Sequence, residues 1–521
     1  MLSRGRPGAF VSRNRKETDA HTRKCLEFLH WLGKDHPDAA LVAGGLQLGT
    51  WGRVVAGWYR AGSVIYLRLN LDGSSRLRRV VAVRSAPWGA TVETAGLPCA
   101  RRAIRVVWRD TGAESAEVGE EIAAELWNWA RERWPGCRLL LCTRRTDRQF
   151  SISGRCVRLL VRRGDCAWLL LAPARYPCPE DSRTLLTQAL LWHSRLRRSG
   201  RLPAGARVVL FAPAGEADVL SHRAACVDPV AVGLEVWELH RDTAGRWSAA
   251  RGGDPAAPQE GRDYRWPAHD CDRSGRELSR VLALAPSAIR LHCRLHEYDS
   301  LRLLGLEFAR AYGEERDHIE FGVGPERVTL DESNFGELSR LVDEILYYRR
   351  PDSPDRRHPY YRLQAERWLE SLILDDRQRL FPELAHEHVY PQTPVYLGDL
   401  QGRVDVLAAD RDGVLVVMEL KTAPDPELPL QCIDYWGRVR RHNRAGDFQR
   451  RGYFPGMTLK DRDPKLYLVA PIFSFHDSTE RLLLYFRPGL EIWKIAVNEE
   501  WRAGVDILRR SRCPSGPPQE A

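Results

Sequence analysis

Three side chains in the segment 402–436 have the types and spacing needed to work on a metal ion. Asp405 lies in one apolar run, and Glu419 and Lys421 lie in the next. Carboxylate oxygens are the ligands that Mg²⁺ and Mn²⁺ prefer. A cation held between them would polarise a phosphoryl oxygen and acidify a bound water. A neighbouring lysine could hold or deprotonate that water, or offset transition-state charge. The pattern therefore indicates phosphodiester hydrolysis.

A β-hairpin is predicted to bring these side chains together. The runs RVDVLAAD and GVLVVMELK read as two strands joined by a three-residue loop, 411–413, with Gly413 in the left-handed position that such loops favour. In this register Asp405 pairs directly with Glu419, and alternation places Lys421 on the same face as Glu419. The second strand is apolar on both faces, as expected for a central strand.

Two predicted helices flank the hairpin. The segment 360–376 has helical periodicity and presents Glu366 and Glu370 on nearly one face, so either could complete a ligand shell. A helix after the hairpin presents Gln431 and Tyr435 together. Further strands are predicted at KLYLVAPI, LLLYF and LEIWKIAV, and a short extended segment at HVYPQTPVY. The order helix, three strands, helix, strand predicts an α/β core.

The alternative interpretation of Asp405, Glu419 and Lys421 is a salt-bridge ladder on a sheet edge, because short motif matches arise by chance. The apolar character of GVLVVMELK on both faces argues against an edge position. Charged groups at the end of a buried strand require a reason.

These motifs resemble those of the PD-(D/E)xK nuclease superfamily, whose fold is that of restriction endonucleases. Val404-Asp405 stands where the superfamily has Pro-Asp or a variant, and Glu419-Leu420-Lys421 matches the (D/E)xK element. Gln431 and Tyr435 match the Gln-x-x-x-Tyr motif of the RecB-like branch. The run AERWLESLI is similar to the first helix of archaeal Holliday-junction resolvases, which makes Glu366 the candidate active-site residue and Glu370 its reserve.

The resemblance covers about residues 360–500 and implies hydrolysis that depends on Mg²⁺ or Mn²⁺ and leaves a 5′-phosphate. It implies that the metal is bound by Asp405, Glu419, the carbonyl of Leu420, and Glu366. Lys421 would act on water, and Gln431 and Tyr435 would support the site and contact nucleic acid. The cysteines of the iron–sulfur members are absent, so no cluster is expected.

Composition sets broader limits. A chain of 521 residues is too long for one compact core, so two or three domains are expected. The net charge of +10 only mildly favours a polyanionic partner. Neither a secretory signal nor an apolar run long enough to span a membrane is apparent. The 12 cysteines show no CxxC spacing, so a cytoplasmic location and no membrane partner are expected.

Five short matches in the same order indicate an internal duplication, with a degenerate copy of the fold in the N-terminal half. Asp405 falls near Val157, Glu419 near Leu170 and Lys421 near Ala172, while Gln188 and Trp192 match Gln431 and Tyr435. The first copy would thus lack the metal ligands, and the helix at 360–374 as well. Two unrelated α/β domains are the alternative.

The expected organisation has five parts. They are a degenerate nuclease-like domain at 1–240, a linker at 241–276, an accessory α/β segment at 277–350, the nuclease core at 351–510, and a disordered tail at 511–521.

A run of basic residues follows the Gln-Tyr motif and is interleaved with aromatic residues. It comprises Arg438, Arg441, His442, Arg444, Arg450 and Arg451. Such a run could track a phosphate backbone and stack unpaired bases. A solvated helix face with core aromatics is the alternative.

The favoured hypothesis is a Mg²⁺-dependent nuclease, acting on DNA in repair, restriction or defence. The first alternative is a non-catalytic nucleic-acid-binding protein that keeps the fold, and the second is a structural scaffold. In the favoured case the first half would widen the substrate groove or mimic a dimer.

Overall fold

The computed structural model describes most of the chain from residue 112 onwards and separate strands before it. The described residues are 25–27, 29–30, 40–43, 46–51, 55–61, 64–71, 74–86, 89–95, 101–107, 112–175, 179–203, 205–241, 247–251, 275–293, 298–313, 316–324, 327–397 and 400–514. They fall into two compact units, one of residues 1–117 with 241–246, and one of residues 118–240 with 247–521. No helix in the described ranges has the length and apolar character to cross a bilayer.

The first unit contains a seven-stranded antiparallel sheet in the order β2-β1-β7-β6-β5-β4-β3. Its strands are β1 (Ala40–Ala43), β2 (Leu46–Thr50), β3 (Val55–Ala61), β4 (Val64–Leu71), β5 (Ser74–Ala86), β6 (Gly89–Ala95) and β7 (Arg101–Val107). Alternation along β4 buries Ile65, Leu67 and Leu69, the pattern of a sheet with one core-facing side. The expected single domain 1–240 therefore contains a separate antiparallel sheet.

The second unit begins with a six-stranded mixed sheet in the order β13-β12-β11-β10-β9-β8. Its elements are α1 (Gly112–Arg133), β8 (Arg138–Thr143), β9 (Cys156–Arg163), β10 (Cys166–Pro173), α2 (Pro179–Arg198), β11 (Arg207–Pro213), α3 (Ala217–Ala224), β12 (Gly233–Arg241) and β13 (Trp247–Arg251). The pairs β8–β9 and β9–β10 are antiparallel, and β10–β11 and β11–β12 are parallel.

A five-stranded antiparallel sheet follows, within the segment expected to be an accessory α/β region. Its elements are α4 (Arg276–Leu282), β14 (Ile289–Cys293), β15 (Asp299–Leu303), β16 (Leu306–Tyr312), β17 (His318–Phe321), β18 (Val328–Thr329) and α5 (Phe335–Tyr348). Leu338, Val342 and Ile345 of α5 recur at helical spacing and are buried against this sheet.

The last part of the chain forms a second six-stranded mixed sheet in the order β19-β20-β21-β22-β23-β24. Its elements are α6 (Pro359–Arg362), α7 (Ala365–Asp375), α8 (Arg377–Leu380), β19 (Leu384–Leu397), β20 (Leu400–Asp410), β21 (Leu415–Leu420), α9 (Leu428–Arg444), α10 (Asp447–Arg450), β22 (Lys465–Pro471), α11 (Thr479–Leu483), β23 (Ile492–Val497) and β24 (Ile507–Cys513). Pairing is antiparallel for β19–β20 and β20–β21, then parallel for β21–β22 and β22–β23.

Both six-stranded sheets have two antiparallel strand pairs followed by two parallel pairs, and the sheets share one hydrophobic core. The core between them takes side chains from α2, β9 and β10 and from α9, β20 and β21. A second core lies on the other face of β21, against α7. The strand β21 is third of six, and all of its residues are buried. The alternative of a salt-bridge ladder on a sheet edge therefore does not apply.

The predicted helix 360–376 is two helices. Gln364 has a left-handed backbone with φ 48°, which separates α6 from α7 and leaves Leu363 44% exposed. The predicted strand LLLYF is not a strand, because Leu482 and Leu483 end α11 and are buried in the core between the sheets. HVYPQTPVY is part of a long edge strand, β19, where proline is tolerated.

Three expectations differ from the structure: those about the linker, the C-terminal tail and the first helix of the N-terminal copy. The described part of the predicted linker 241–276 includes strand β13, and the described part of the predicted tail 511–521 completes strand β24. Most of the linker and residues 515–521 lie outside the described residues. The helix thought missing from the first copy is present as α1, which packs on the outer face of β9 as α7 does on β21.

A fully buried arginine joins the five-stranded sheet to α7. The Arg349 guanidinium donates to the carbonyl of Leu304 at 2.9 Å, to those of Tyr360 and Leu363 at 2.7 Å each, and to that of Gln364 at 3.1 Å. It also lies 4.7 Å from the centre of the Trp368 ring. These bonds satisfy the carbonyls that the break between α6 and α7 releases, so Arg349 fixes where α7 begins.

Replacing Arg349 with Ala is expected to lower the free energy of unfolding by about 3 kcal/mol, because several buried carbonyls lose their donors. Urea denaturation followed by tryptophan fluorescence measures the change. The matched control is Arg350→Ala, since the Arg350 side chain is 42% exposed and should change stability by less than about 0.5 kcal/mol. Equal effects of the two variants would contradict the role given to Arg349.

Candidate metal centre and active site

Asp405, in the middle of β20, lies opposite Glu419, which is near the end of the neighbouring strand β21. The β20–β21 ladder pairs Val406 with Met418, so the next position in the same register sets Asp405 against Glu419. The loop 411–413 closes this hairpin with Gly413 at φ 82°, as predicted. The residues Asp405 and Glu419 are only 9% and 1% exposed.

The ammonium of Lys421 completes a charged cluster with three carboxylates. Its Nζ lies 3.8 Å from Glu419 Oε1, 3.9 Å from Glu366 Oε1 and 3.8 Å from Asp425 Oδ2. On the other side of the pair, Asp405 Oδ2 accepts the backbone N–H of Leu420 at 2.9 Å. The structure thus brings together Asp405, Glu419, Lys421 and Glu366, as the sequence predicted.

The carboxylate pair is electrostatically unfavourable without a cation. Burial, and then the charge of Asp405, raises the pKa of Glu419 well above its usual range. Burial also raises the pKa of Asp405, although Arg367 and the Leu420 N–H oppose that rise. Glu419 Oε2 is buried with no hydrogen-bond partner among the described residues. An unpaired carboxylate oxygen facing a second carboxylate fits a hard divalent cation.

The Lys421 side chain stays protonated in this environment. Burial alone would lower its pKa, but the charges of Glu419, Glu366, Asp405 and Asp425 outweigh that effect and raise it. Lys421 is therefore suited to hold a water or a phosphoryl oxygen as a cation. To deprotonate water it would first have to lose the influence of these carboxylates.

Sequence reasoning missed two residues that contact this pair. Arg367 Nη1 lies 3.5 Å from Asp405 Oδ1 and 2.7 Å from Glu370 Oε2. Gln392, on the neighbouring strand β19, donates to Asp405 Oδ1 at 3.2 Å and to Glu370 Oε2 at 2.5 Å. The left-handed backbone of Gln392, with φ 55°, interrupts the regular pairing of β19 at this point. Such a backbone irregularity leaves no clear signal in one sequence.

The two glutamates of α7 have different surroundings. Glu366 is 43% exposed and its carboxylate faces Lys421. Glu370 is only 2% exposed and is occupied by Arg367 and Gln392. Its burial raises its pKa to about 7. This favours Glu366 over Glu370 as the helix carboxylate open to a ligand, and gives Glu370 a role in orienting Arg367 and Gln392.

Gln431 and Tyr435 project from one face of α9, and Gln431 Nε2 lies 3.5 Å from the Tyr435 hydroxyl. Burial, then the negative charge of Glu419, raises the pKa of Tyr435 to about 12. Gly402 of β20 allows this approach, since a Cβ there would lie 2.7 Å from Tyr435 Cε1. The described contacts place the tyrosine against the end of β20, within the electrostatic reach of Glu419.

The site offers few protein ligands for a metal ion. Among the residues that the structure describes, no three His, Cys, Asp or Glu side chains are arranged to hold an ion. Mg²⁺, however, is commonly held by one or two protein carboxylates and keeps several waters. Asp405 and Glu419 meet that smaller requirement.

The predicted basic run divides into buried and exposed residues. Arg438 is buried and bound to Asp434 at 3.0 and 3.1 Å, and His442 is buried between Asp447 and the backbone N–H of Tyr396. These two buried residues are structural and do not belong to the nucleic-acid surface predicted from the sequence. Arg444, Arg450 and Arg451 are exposed and Arg441 is half-buried, but they follow Gln431 by ten or more residues, roughly 15 Å along a helix.

The first six-stranded sheet has no acidic pair at the equivalent position. There Arg158 lies opposite Leu171, and Leu171 pairs with Leu210 of β11, as Glu419 pairs with Leu468 of β22. The counterparts of Asp405, Glu419 and Lys421 are therefore Arg158, Leu171 and Pro173. The predicted Val157, Leu170 and Ala172 are each one residue away and face the opposite core, with α1. The first hairpin has a shorter turn, which pairs Arg163 with Cys166.

In this counterpart, the buried Arg158 guanidinium donates to the carbonyls of Ser153 and Arg145 at 3.0 and 2.5 Å. Gln188, the counterpart of Gln431, accepts the backbone N–H of Ser153 at 2.7 Å. A fixed cation in place of a ligand carboxylate repels a metal ion. The first half therefore lacks the chemistry of the second.

No family model matches this chain, and no curated protein matches it. One similar solved structure is described as "Structure of EndoMS-dsDNA2 complex", at 19% identity over 40% of this chain and 64% of that chain, with a TM-score of 0.17. The chain thus spans less than two thirds of that protein.

A second similar structure is a crystal structure of a repair endonuclease from Pyrococcus abyssi, at 14% identity over 45% of this chain and 97% of that chain, with a TM-score of 0.13. At TM-scores this low, neither likeness decides the function, which has to be judged from the side chains.

Glu419→Gln is expected to stabilise the metal-free protein at about pH 8, because the raised pKa of Glu419 makes its ionisation unfavourable. The same change should abolish any rise in melting temperature caused by Mn²⁺. Differential scanning calorimetry with chelator and with Mn²⁺ measures both effects. The control Glu480→Gln, at a side chain that is 73% exposed, should change neither. A destabilised Glu419→Gln protein that still responds to Mn²⁺ would contradict the assignment.

Glu370 should make stability depend on pH in the absence of metal. Because its folded pKa is raised from 4.5 to about 7, its contribution is fully present below the unfolded pKa and is lost as pH rises through about 7. The free energy of unfolding of Glu370→Gln, relative to that of the wild type, should therefore increase by about 3 kcal/mol between about pH 4 and pH 8. Urea denaturation in chelator measures this difference, with the exposed Glu387→Gln as control. A pH-independent difference would exclude the raised pKa.

Proposed function

We propose that this protein is a metal-dependent nuclease that hydrolyses phosphodiester bonds, with DNA as the expected substrate. The observation that supports it most strongly is the buried, directly opposed pair Asp405 and Glu419 with Lys421 beside it. This arrangement is unfavourable for folding unless a cation neutralises it, and such arrangements are retained where they serve chemistry.

The proposal assigns each group a role. Asp405 and Glu419 would hold Mg²⁺ or Mn²⁺, with the Leu420 carbonyl as the further ligand that the family resemblance implies. A bound divalent cation supplies Lewis-acid polarisation of the phosphate and a more acidic water. Lys421 would hold the attacking water or the phosphoryl oxygen, and Glu366 would orient Lys421 from α7.

Three further residues would maintain this geometry. Arg367 and Gln392 hold Asp405 through the contacts described above, which fixes one carboxylate before the cation binds. Tyr435 would close the site from α9. The exposed arginines Arg444, Arg450 and Arg451, with Arg441, remain candidates for phosphate contacts away from the reacting centre.

We also propose that both six-stranded units have the restriction-endonuclease-like αβββαβ fold and arose by duplication. Their strands follow the same run of pairings, and each is preceded by an antiparallel sheet. The arrangement of α1 before β8 and of α7 before β19 supports this proposal, as does the matching position of Gln188 and Gln431.

Lys421→Ala is expected to reduce cleavage of labelled DNA by roughly a hundredfold to a thousandfold, the usual loss when one charged transition-state group is removed. The assay uses single-stranded, duplex and branched DNA with Mg²⁺ or Mn²⁺. Lys460→Ala is the matched control, because that lysine is exposed and should leave cleavage unchanged.

Cleavage that is equal in the wild type and Lys421→Ala, or absent with both metals, would reject the proposal. Salt-dependent DNA binding without cleavage, together with no calorimetric signal for Mg²⁺, would favour the alternative of a non-catalytic binding protein.

A further inference from the structure

The two six-stranded units meet through reciprocal contacts. The first six-stranded unit runs from α1 to β13 and the second from α6 to β24, and both sheets lie almost entirely within the compact unit of residues 118–240 with 247–521. The helix α3 of the first six-stranded unit packs against α9 of the second, and α11 of the second packs against α2 of the first. By chain order α2 matches α9, since they follow β10 and β21, and α3 matches α11, since they lie between β11 and β12 and between β22 and β23. Each contact is therefore the image of the other under exchange of the two units. Reciprocity of this kind is the defining property of a two-fold, isologous interface.

A single β-bridge lies at the centre of this exchange. Val227, just after α3, pairs antiparallel with Phe486, just after α11. The N–H of Asp228 donates to the carbonyl of Tyr485 at 2.8 Å, and the N–H of Arg487 donates to that of Cys226 at 3.3 Å. Exchanging the two units converts one hydrogen bond into the other. The bridge therefore lies where a local two-fold axis relates the units, and the chain folds as an internal pseudo-dimer.

Side chains show that the interface is permanent and that its two sides have diverged. On one side Asp434 of α9 is buried and faces both Arg223 and His222 of α3, with Arg223 Nη2 at 3.4 Å. On the other side, the hydroxyl of Tyr485, just after α11, is hydrogen-bonded to Nδ1 of His193 in α2 at 2.7 Å. Polar partners buried from both units, within a shared apolar core, indicate units that do not separate in the folded chain.

Only one of the two symmetric positions is equipped for catalysis. The second unit has the Asp405–Glu419 pair with Lys421, whereas the first has Arg158 opposite Leu171, followed by Pro173. A two-fold dimer matches the two-fold symmetry of duplex DNA and brings one active site to each strand. In this chain the first unit occupies the position of the partner subunit and brings no second site.

We infer that this chain cuts one strand of duplex DNA in each binding event and leaves a nick. The inference rests on the proposed nuclease function. In the reaction, the oxygen of water forms a new bond to phosphorus, the bond from phosphorus to the bridging sugar oxygen breaks, and that oxygen takes up a proton. The opposite strand lies against the first unit, where Arg158 and Leu171 cannot activate water.

The test uses the full-length protein, supercoiled plasmid and Mg²⁺ or Mn²⁺, with protein in excess so that each plasmid is occupied. The expected result is complete conversion of the supercoiled form to open circles, with linear DNA appearing only later as independent nicks accumulate on opposite strands. An end-labelled duplex should show cleavage on a denaturing gel while it remains intact on a native gel.

Linear plasmid that forms at the same rate as the supercoiled form disappears would overturn the inference, since it requires paired cuts. Digestion of linear ends without any conversion of circles would overturn it as well. Failure of the underlying nuclease proposal is recognisable separately, because wild type and Lys421→Ala would then behave identically on every substrate. Lys460→Ala should nick at the wild-type rate.

Discussion

The repulsion between two buried carboxylates at the end of a hairpin is the constraint around which the C-terminal sheet is arranged. Asp405 and Glu419 are opposed by the ladder register, and neither can turn to solvent because both strands are covered on both faces. Burial and mutual repulsion raise the pKa of Glu419, so its charged form is disfavoured when no cation is bound. Relief of this repulsion by a metal ion is the basis of the hydrolysis proposed above.

The elements around the pair act to hold it in this unfavourable geometry. Arg349 fixes the start of α7 through four backbone carbonyls, and α7 in turn presents Arg367 and Glu370 to Asp405. Gly305, with φ 79°, brings the turn between β15 and β16 so close to Arg367 that a Cβ would lie 2.1 Å from its carbonyl oxygen. The five-stranded sheet thus supports α7, the helix that presents Arg367 and Glu370 to the carboxylate pair.

The sequence predicted those features that depend on local alternation and turn chemistry. The register of Asp405 against Glu419 follows from a three-residue loop with Gly413, and the strand pattern of GVLVVMELK follows from its burial on both faces. Features that depend on long-range contacts could not be predicted. The break at Gln364 exists because Arg349 donates to the carbonyls that the break releases, and Gln392 reaches Asp405 only through a left-handed backbone in an edge strand. Burial of Arg438 and His442 likewise depends on helix packing that periodicity does not specify.

The two halves carry side chains of opposite charge at the equivalent position of their central hairpins. In the second half the strands carry acidic groups that disfavour folding without a ligand, whereas in the first half the equivalent position holds Arg158, whose Nη1 and Nη2 donate to backbone carbonyls. The first half therefore has no acidic pair that requires a cation at this position. The first half has no acidic pair, yet the contacts of α3 with α9 and of α11 with α2 are all formed. The asymmetry of the chain is therefore compatible with stable pairing of its halves, and the first half supports the half that holds the candidate site.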